Sequence, residues 1–512
     1  MVKNYNSSSK TNRRSGVLMH VTSLPGEHGI GDLGKAAYSF VDLLRKMGQR
    51  LWQILPLNPP DRDHNCPYNA SSAFASNILL ISLRELRKIN LLTDKELDQI
   101  PQFSKDIVEF KKINPIRFTL LRTAATRFHN YAPKELIGMY SEFILENKYW
   151  LDDFAIYIHF CEKFDSDAWI NWDSKIRSFE LDSLQSEKNK FEESINCNKV
   201  LQFLFYYQWV KLKEYANHSG IKIIGDIPIY VSYNSSDVWS NQSLFKLNDN
   251  GEMIAQSGCP PDFFTSKGQL WGHPTYNWSQ HEKSSFKWWV GRIKFAFKLV
   301  DIIRIDHFNG LEKYWEVPAA DQDASNGSWR NAPGEKLLNE IYNKIGNKLI
   351  LAENLGEAAK EVQYLLEKFN IPGMKIIQAD LEADKNFNNI DSRNVIYTGT
   401  HDNDTIIGWF MSKNKEINFS KTTYSSKQKI ILDILGTDGS EINWDLIKMA
   451  FQSAASIAII PMQDILGLDS ESRMNLPGTV GNNWNWRFNP DMLKTQFIQK
   501  LNDITTKTGR LE

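Results

Sequence analysis

Residues 284–308 read SSFKWWVGRIKFAFKLVDIIRIDHF. Ser284–Leu299 spaces its apolar residues as an amphipathic helix does, and Val300–Ile305 is a short β-branched run. That run closes on Arg304 and is followed by Asp306 and His307, so a helix feeds a strand whose end carries ionisable groups. The same unit recurs along the chain. Strand-like runs stand at Val17–His20, Leu51–Leu55, Ile221–Ile229, Leu349–Ala352, Met374–Ile377, Asn394–Tyr397 and Ser456–Pro461, and helical spacing at Ala36–Met47, Glu335–Ile345 and Ala358–Lys368. Eight strands interleaved with helices predict an α/β fold of the (β/α)8 barrel type. A doubly wound open sheet alternates in the same way, and the count of eight favours the barrel.

Two stretches break the alternation. Residues 82–198 are charged, glycine-poor and helix-rich, which predicts a helical subdomain inserted between the second and third strands. Ser412–Asn443 is polar and predicts a decoration between the last two strands. The expected organisation is a polar, disordered tail over 1–15, a catalytic barrel with insertions over 16–81 and 199–512, and the helical insertion over 82–198. A chain of 512 residues exceeds what one core serves, which fits a barrel with elaborations. Formal net charge is -1, so no global field attracts nucleic acid or anionic lipid. No apolar run approaches membrane-spanning length. Four widely spaced cysteines, Cys66, Cys161, Cys197 and Cys259, fit a reduced cytoplasmic protein. The 28 Phe, 18 Tyr and 16 Trp exceed ordinary needs, and aromatic faces serve either cores or sugar-stacking platforms.

In a barrel, polar residues at the C-terminal strand ends face the mouth. Here the third strand ends in Asp226, the fourth in Arg304, Asp306 and His307, the fifth in Glu353, and the seventh in His401 and Asp402. Any one such carboxylate could cap the following helix; four strand ends aimed at one mouth argue for chemistry. Arg304 and Asp306 are two positions apart and share a strand face, either as a barrel-lining ion pair or as an arginine keeping a nucleophile ionised. Glu353 follows an apolar run, and partial burial there would raise its pKa as a general acid requires. Carboxylates with opposed pKa shifts are the mark of glycoside cleavage.

The strings RIDHF at 304–308, AENLG at 352–356 and THDN at 400–403 resemble the 4-α-glucanotransferases (amylomaltase or disproportionating enzyme), within the α-amylase clan. The resemblance runs from Gly16 to Arg487. It is reinforced by TSLPG at 22–26, WQILPL at 52–57, PYNASSAFA at 67–75, GDIPIYV at 225–231, CPPDFF at 259–264, QLWG at 269–272 and RMNLPGT at 473–479. It implies retaining transfer through a covalent glucosyl intermediate on Asp306, with Glu353 as acid and base and Asp402 stabilising the transition state. It also implies that Arg304 orients Asp306, that His307, His401 and Asp226 bind the donor sugar, and that Tyr68 stacks beneath it. Carboxylates of such a retaining pair lie roughly 5–5.5 Å apart. Ser257–Tyr276, with Phe263, Phe264 and Trp271, resembles the family's lid, suited to stacking glucose and excluding water; for Trp271 the alternative is a packing anchor. Asp61–Asn65 replaces a glycine-rich segment carrying a tyrosine, so the resemblance does not extend to a second glucan surface. Asn475, Pro477 and Asn483–Arg487 are candidates for another wall of the cleft.

The implied partners are maltooligosaccharides, starch- or glycogen-derived α-1,4-glucans, and glucose as acceptor, with no nucleic acid and no membrane. No metal or cofactor is implied: there is no helical H-E-x-x-H, no Cys/His ligand spacing and no phosphate-binding glycine loop. Two alternatives are an α-amylase-like hydrolase with the same carboxylates, and a catalytically dead glucan-binding barrel. All three carboxylate positions are intact.

Overall fold

Eight short parallel strands, Arg14–Leu18, Leu51–Gln53, Lys222–Ile227, Ile302–Ile305, Ile350–Ala352, Met374–Ile376, Val395–Tyr397 and Ile457–Pro461, pair in chain order in a computed structural model of the chain. The structure describes residues 13–62, 64–261, 266–356, 359–383, 390–413 and 424–511. The first strand pairs with the eighth, Arg14 opposite Ile457, and with the second, Gly16 opposite Leu51. The ring closes between the fifth and sixth strands through a parallel bridge of Ala352 to Gly373, where Ala352 N donates to Pro372 O at 2.9 Å. The fold is therefore a (β/α)8 barrel. Gly16 is required by the packing, since a Cβ there would lie 2.3 Å from Leu51 O.

The strands read as apolar runs because both faces are covered: Ile223, Ile224, Ile303, Ile305, Ile350 and Leu351 are all fully buried. Outer helices include Lys35–Lys46, Glu192–His218, Lys287–Leu299, Gly334–Ile345, Ala359–Phe369, Ile442–Gln452 and Thr495–Lys507. Lys35–Lys46 buries Ala37, Phe40, Val41 and Leu44, one stripe at helical spacing. The first strand starts three residues before its apolar run, because Arg14 N donates to Ser456 O at 2.9 Å and joins the ladder to the eighth strand.

Between the second and third strands the chain passes through the long helices Phe110–Tyr131, Lys134–Lys163 and Glu192–His218. Phe128, Tyr140 and Phe203 meet edge to face where the three pack. Glu192–His218 runs through position 198 and delivers the chain to the third strand. This region is tied to the end of the barrel: Val108 N donates to Asn485 O at 2.6 Å, and Arg487 N to Asp106 O at 2.8 Å.

A second sheet was not legible in the sequence. Gln269–Pro274, Ala255–Cys259, Lys313–Pro318 and Ser328–Asn331 form four antiparallel strands in that order. Two of these strands overlap the lid stretch, and the one that carries Trp271, Gln269–Pro274, sets that ring against His307. Beyond the seventh strand, Ser426–Leu435 is a helix opened by a Ser425–Gln428 capping box, within the stretch expected to be a polar decoration. Among the described residues no helix is long and apolar enough to cross a membrane.

Candidate active site

Asp226 and Arg304 sit opposite each other on the third and fourth strands. Strand pairing brings the Arg304 guanidinium onto three carboxyl groups. Its Nη1 donates to both Asp226 oxygens at 2.6 Å and to Asp306 Oδ1 at 3.0 Å; its Nη2 donates to Glu353 Oε2 at 2.7 Å. Arg304 and Asp226 are almost wholly enclosed, whereas the Asp306 and Glu353 side chains keep 26% and 23% of their surface open to the mouth. The hub therefore presents only the last two to an incoming molecule.

One guanidinium serves its carboxyl partners unequally, so the group with the poorer contacts is pushed up. That group is Asp306. Burial and then the Glu353 charge push it well above the carboxylate range, against the pull of Arg304. Burial also acts to raise Glu353, but Arg304, a hydrogen bond with Asp306 and the His307 N–H outweigh it and hold Glu353 at about 2. The order expected from the sequence, a depressed Asp306 beside a raised Glu353, is reversed in this structure. The reason is geometric: Arg304 gives its outer nitrogen to Glu353 and shares the inner one between Asp226 and Asp306. The two carboxyls also interact with each other directly beside the guanidinium they share.

His307 follows in a left-handed conformation, φ 46° and ψ 48°, and its N–H donates to Glu353 Oε2 at 2.9 Å. Trp271 packs edge-on to its imidazole, ring centres 4.8 Å apart at 81°. Phe263 and Phe264 lie outside the described residues. Tyr68 donates its hydroxyl to Asp226 Oδ2 at 2.8 Å and stacks on His401 at 4.8 Å and 17°, and Trp484 lies against both rings. Burial raises the Tyr68 phenol well above its usual range, so it stays a donor.

Asp402 sits apart from this hub, 45% exposed, with His401 Nε2 at 3.4 Å from its Oδ2. Its Oδ1 accepts from Asn475 Nδ2 at 2.6 Å, and Arg473 donates to its main-chain carbonyl. The loop bearing it is braced from below by Asp464, which accepts from Thr398 Oγ1 at 2.7 Å and Ile406 N at 2.8 Å. Burial pushes Asp464 up to about 7. Arg473 enters the sequence reading only within the RMNLPGT string, with no role, and Asp464 was missed. The one signal for Asp464 is an acidic residue inside the apolar stretch Ile457–Leu466. Asn475 had been placed only in a possible wall and instead touches Asp402. Among the described residues no cluster of three or more His, Cys, Asp or Glu side chains is placed to hold a metal ion.

A proton-sharing carboxyl pair with a third, solvent-facing carboxylate at another strand end of the same barrel is equipped to break and remake an acetal at a sugar C1. A family model described as 4-alpha-glucanotransferase matches residues 19–494. The 4-alpha-glucanotransferase of Aquifex aeolicus (strain VF5) is 41% identical over 499 residues, covering 96% of this chain and 98% of that protein. That of Clostridium butyricum is 40% identical over 501 residues, covering 96% of this chain and 100% of its own. Among solved structures, an amylomaltase from Streptococcus agalactiae in complex with acarbose superposes with a TM-score of 0.91 at 37% identity, over 97% of this chain and 99% of that one.

Proposed function

Because the chain belongs to the 4-alpha-glucanotransferase family, we propose that Asp306, Glu353 and Asp402 divide the labour of its reaction, the transfer of α-1,4-glucan segments from donor to acceptor. The observation that carries this assignment is the single guanidinium of Arg304 gathering Asp306 and Glu353 into one proton-sharing pair at the mouth.

Asp306 is the nucleophile. As one of its oxygens bonds to C1 of the donor sugar, the bond from C1 to the glycosidic oxygen breaks and Glu353 gives that oxygen its proton. The segment beyond leaves with a free 4-hydroxyl, and a β-glucosyl ester on Asp306 remains. An acceptor 4-hydroxyl then loses its proton to Glu353 and attacks C1, Asp306 departs as a carboxylate, and the α linkage is restored. The first step needs the proton on Glu353, the member that Arg304 and the His307 N–H hold lower in this geometry. The two are tautomers of one pair in contact, so a sugar parting them moves the proton across a single hydrogen bond.

Asp402, the most open carboxylate, faces the developing positive charge at C1 and the ring hydroxyls. Asp226, His307 and His401 bind the donor sugar. The Tyr68 ring, already stacked on His401, stiffens that wall. Trp271, with Phe263 and Phe264 on the same lid stretch, forms the acceptor-side platform and disfavours water. Donors are maltooligosaccharides and starch- or glycogen-derived glucans, and glucose serves as an acceptor. The scattered cysteines support a cytoplasmic setting. Residues 82–198 form a helical subdomain that buttresses the barrel.

The test is incubation with maltotriose alone. Glucose together with a ladder of longer oligosaccharides, lost in Asp306→Asn, is the expected result. Glucose and maltose without longer products would replace the transferase reading by a hydrolase.

A further inference from the structure

Two donors fasten the Glu353 carboxyl, and both land on the same oxygen. Arg304 Nη2 reaches Oε2 at 2.7 Å, and the backbone N–H of His307 reaches Oε2 at 2.9 Å. The residue that carries this second donor, His307, adopts φ 46°, a left-handed conformation that a non-glycine residue holds at some cost. The neighbouring backbone fixes this turn. Phe308 N donates to Glu353 O at 3.0 Å and Glu353 N to Ile305 O at 3.1 Å, so the ends of the fourth and fifth strands stay laced on both sides of the strained residue.

We propose that the peptide N–H of His307 is a positioning element of the acid/base: with Arg304 it locks Glu353 Oε2, leaving Oε1 as the oxygen that delivers and recovers the proton. This rests on the reading of Glu353 as acid and base. The strain at His307 then has a role distinct from its imidazole, which packs against Trp271. A donor aimed at the ionised form makes Glu353 a readier acid when the glycosidic bond breaks. The other titratable or charged groups facing Glu353 are Asp226 from the third strand, Arg304, Asp306 and the His307 imidazole from the fourth, and Tyr397 from the seventh. Of these, Arg304 donates to Oε2.

The test separates backbone from side chain. In one full-length variant, imidazolelactate replaces His307 by amber suppression, which keeps the imidazole and exchanges the N–H for an ester oxygen. His307→Asn keeps the N–H with a side chain that tolerates the left-handed region. His307→Val keeps the N–H but resists that conformation. The pH dependence of kcat for maltotriose disproportionation is read for each. Loss of a hydrogen bond to the charged form should move the alkaline limb up by about one pH unit in the ester and Val variants. In His307→Asn the limb should stay in place, with the loss of the imidazole appearing mainly in KM. An unmoved limb in the ester chain overturns the inference. If that chain does not fold, equal limbs in the Asn and Val variants overturn it. Undiminished kcat in Glu353→Gln would instead sink the acid/base assignment itself.

Discussion

The cleft has two sides built on opposite principles. Under Asp306 and Glu353, the third, fourth and fifth strands form a buried hub in which one guanidinium organises three carboxyl groups. Under Asp402, the seventh-strand loop is held by donors from a distant segment, the neutral Asn475 amide on the carboxylate and the Arg473 guanidinium on the main-chain carbonyl, and by the buried brace of Asp464. The hub decides where a proton sits, since moving one charge there shifts every neighbour. The brace decides where a carboxylate sits and leaves its charge to solvent. Changes on the hub side should therefore be severe and shift the pH profile of the rate, and changes on the brace side graded, with little shift of that rate profile.

The largest effect should come from Asp306→Asn, with kcat down about 10⁴-fold. A variant retaining a tenth of wild-type turnover would break the hub's claim to the chemistry. Next, Arg304→Gln removes the only positive charge among three carboxyl groups. Both Asp306 and Glu353 then titrate higher, so the acid limb of kcat/KM, which needs an ionised pair member, should move to higher pH. Thermal unfolding should report a destabilisation of about 3 kcal/mol. On the other side, Asn475→Ala should cost about tenfold in kcat, one hydrogen bond to a charged group, with the alkaline limb of the pH profile, which belongs to the hub, unmoved. A shifted profile there would dissolve the distinction between the two sides.

The smallest effect on rate is expected for Asp464→Asn, because an amide oxygen still accepts from Ile406 N and the Thr398 hydroxyl can turn to accept from the amide nitrogen. Its signature lies in stability. The Asp464 carboxyl sits at about 7 in the fold, above the ordinary carboxylate value, so the folded state holds this proton more tightly than the unfolded chain. Its contribution is fully present below the ordinary carboxylate pKa and is lost as pH rises through about 7. The variant lacks this dependence, so its Tm relative to wild type should rise from pH 5 and level off above about pH 7 in differential scanning fluorimetry. A pH-independent Tm difference would contradict it.

Much of the hub was legible because strand geometry is local. Two residues on one strand face put Arg304 beside Asp306, and apolar runs announced all eight barrel strands. The protonation order was not legible, because it depends on which guanidinium nitrogen reaches which oxygen. The second sheet escaped because its strands are short and polar; Gln269–Pro274 and Ser328–Asn331 gain strand character only from partners far along the chain. The brace of Asp402 escaped for a similar reason: Asn475 meets it across 73 positions, and no periodicity encodes such a contact.

The central claim is that Asp306 becomes covalently linked to the donor sugar. The most direct measurement is mass spectrometry of peptides after reaction with a 5-fluoro-α-glucosyl fluoride, whose ring fluorine slows release of the ester more than its formation. One added fluoroglucosyl unit on the peptide bearing Asp306, absent from Asp306→Asn, is the predicted result. An adduct on Glu353 or Asp402, or turnover of the probe with inverted configuration and no adduct, would contradict the account.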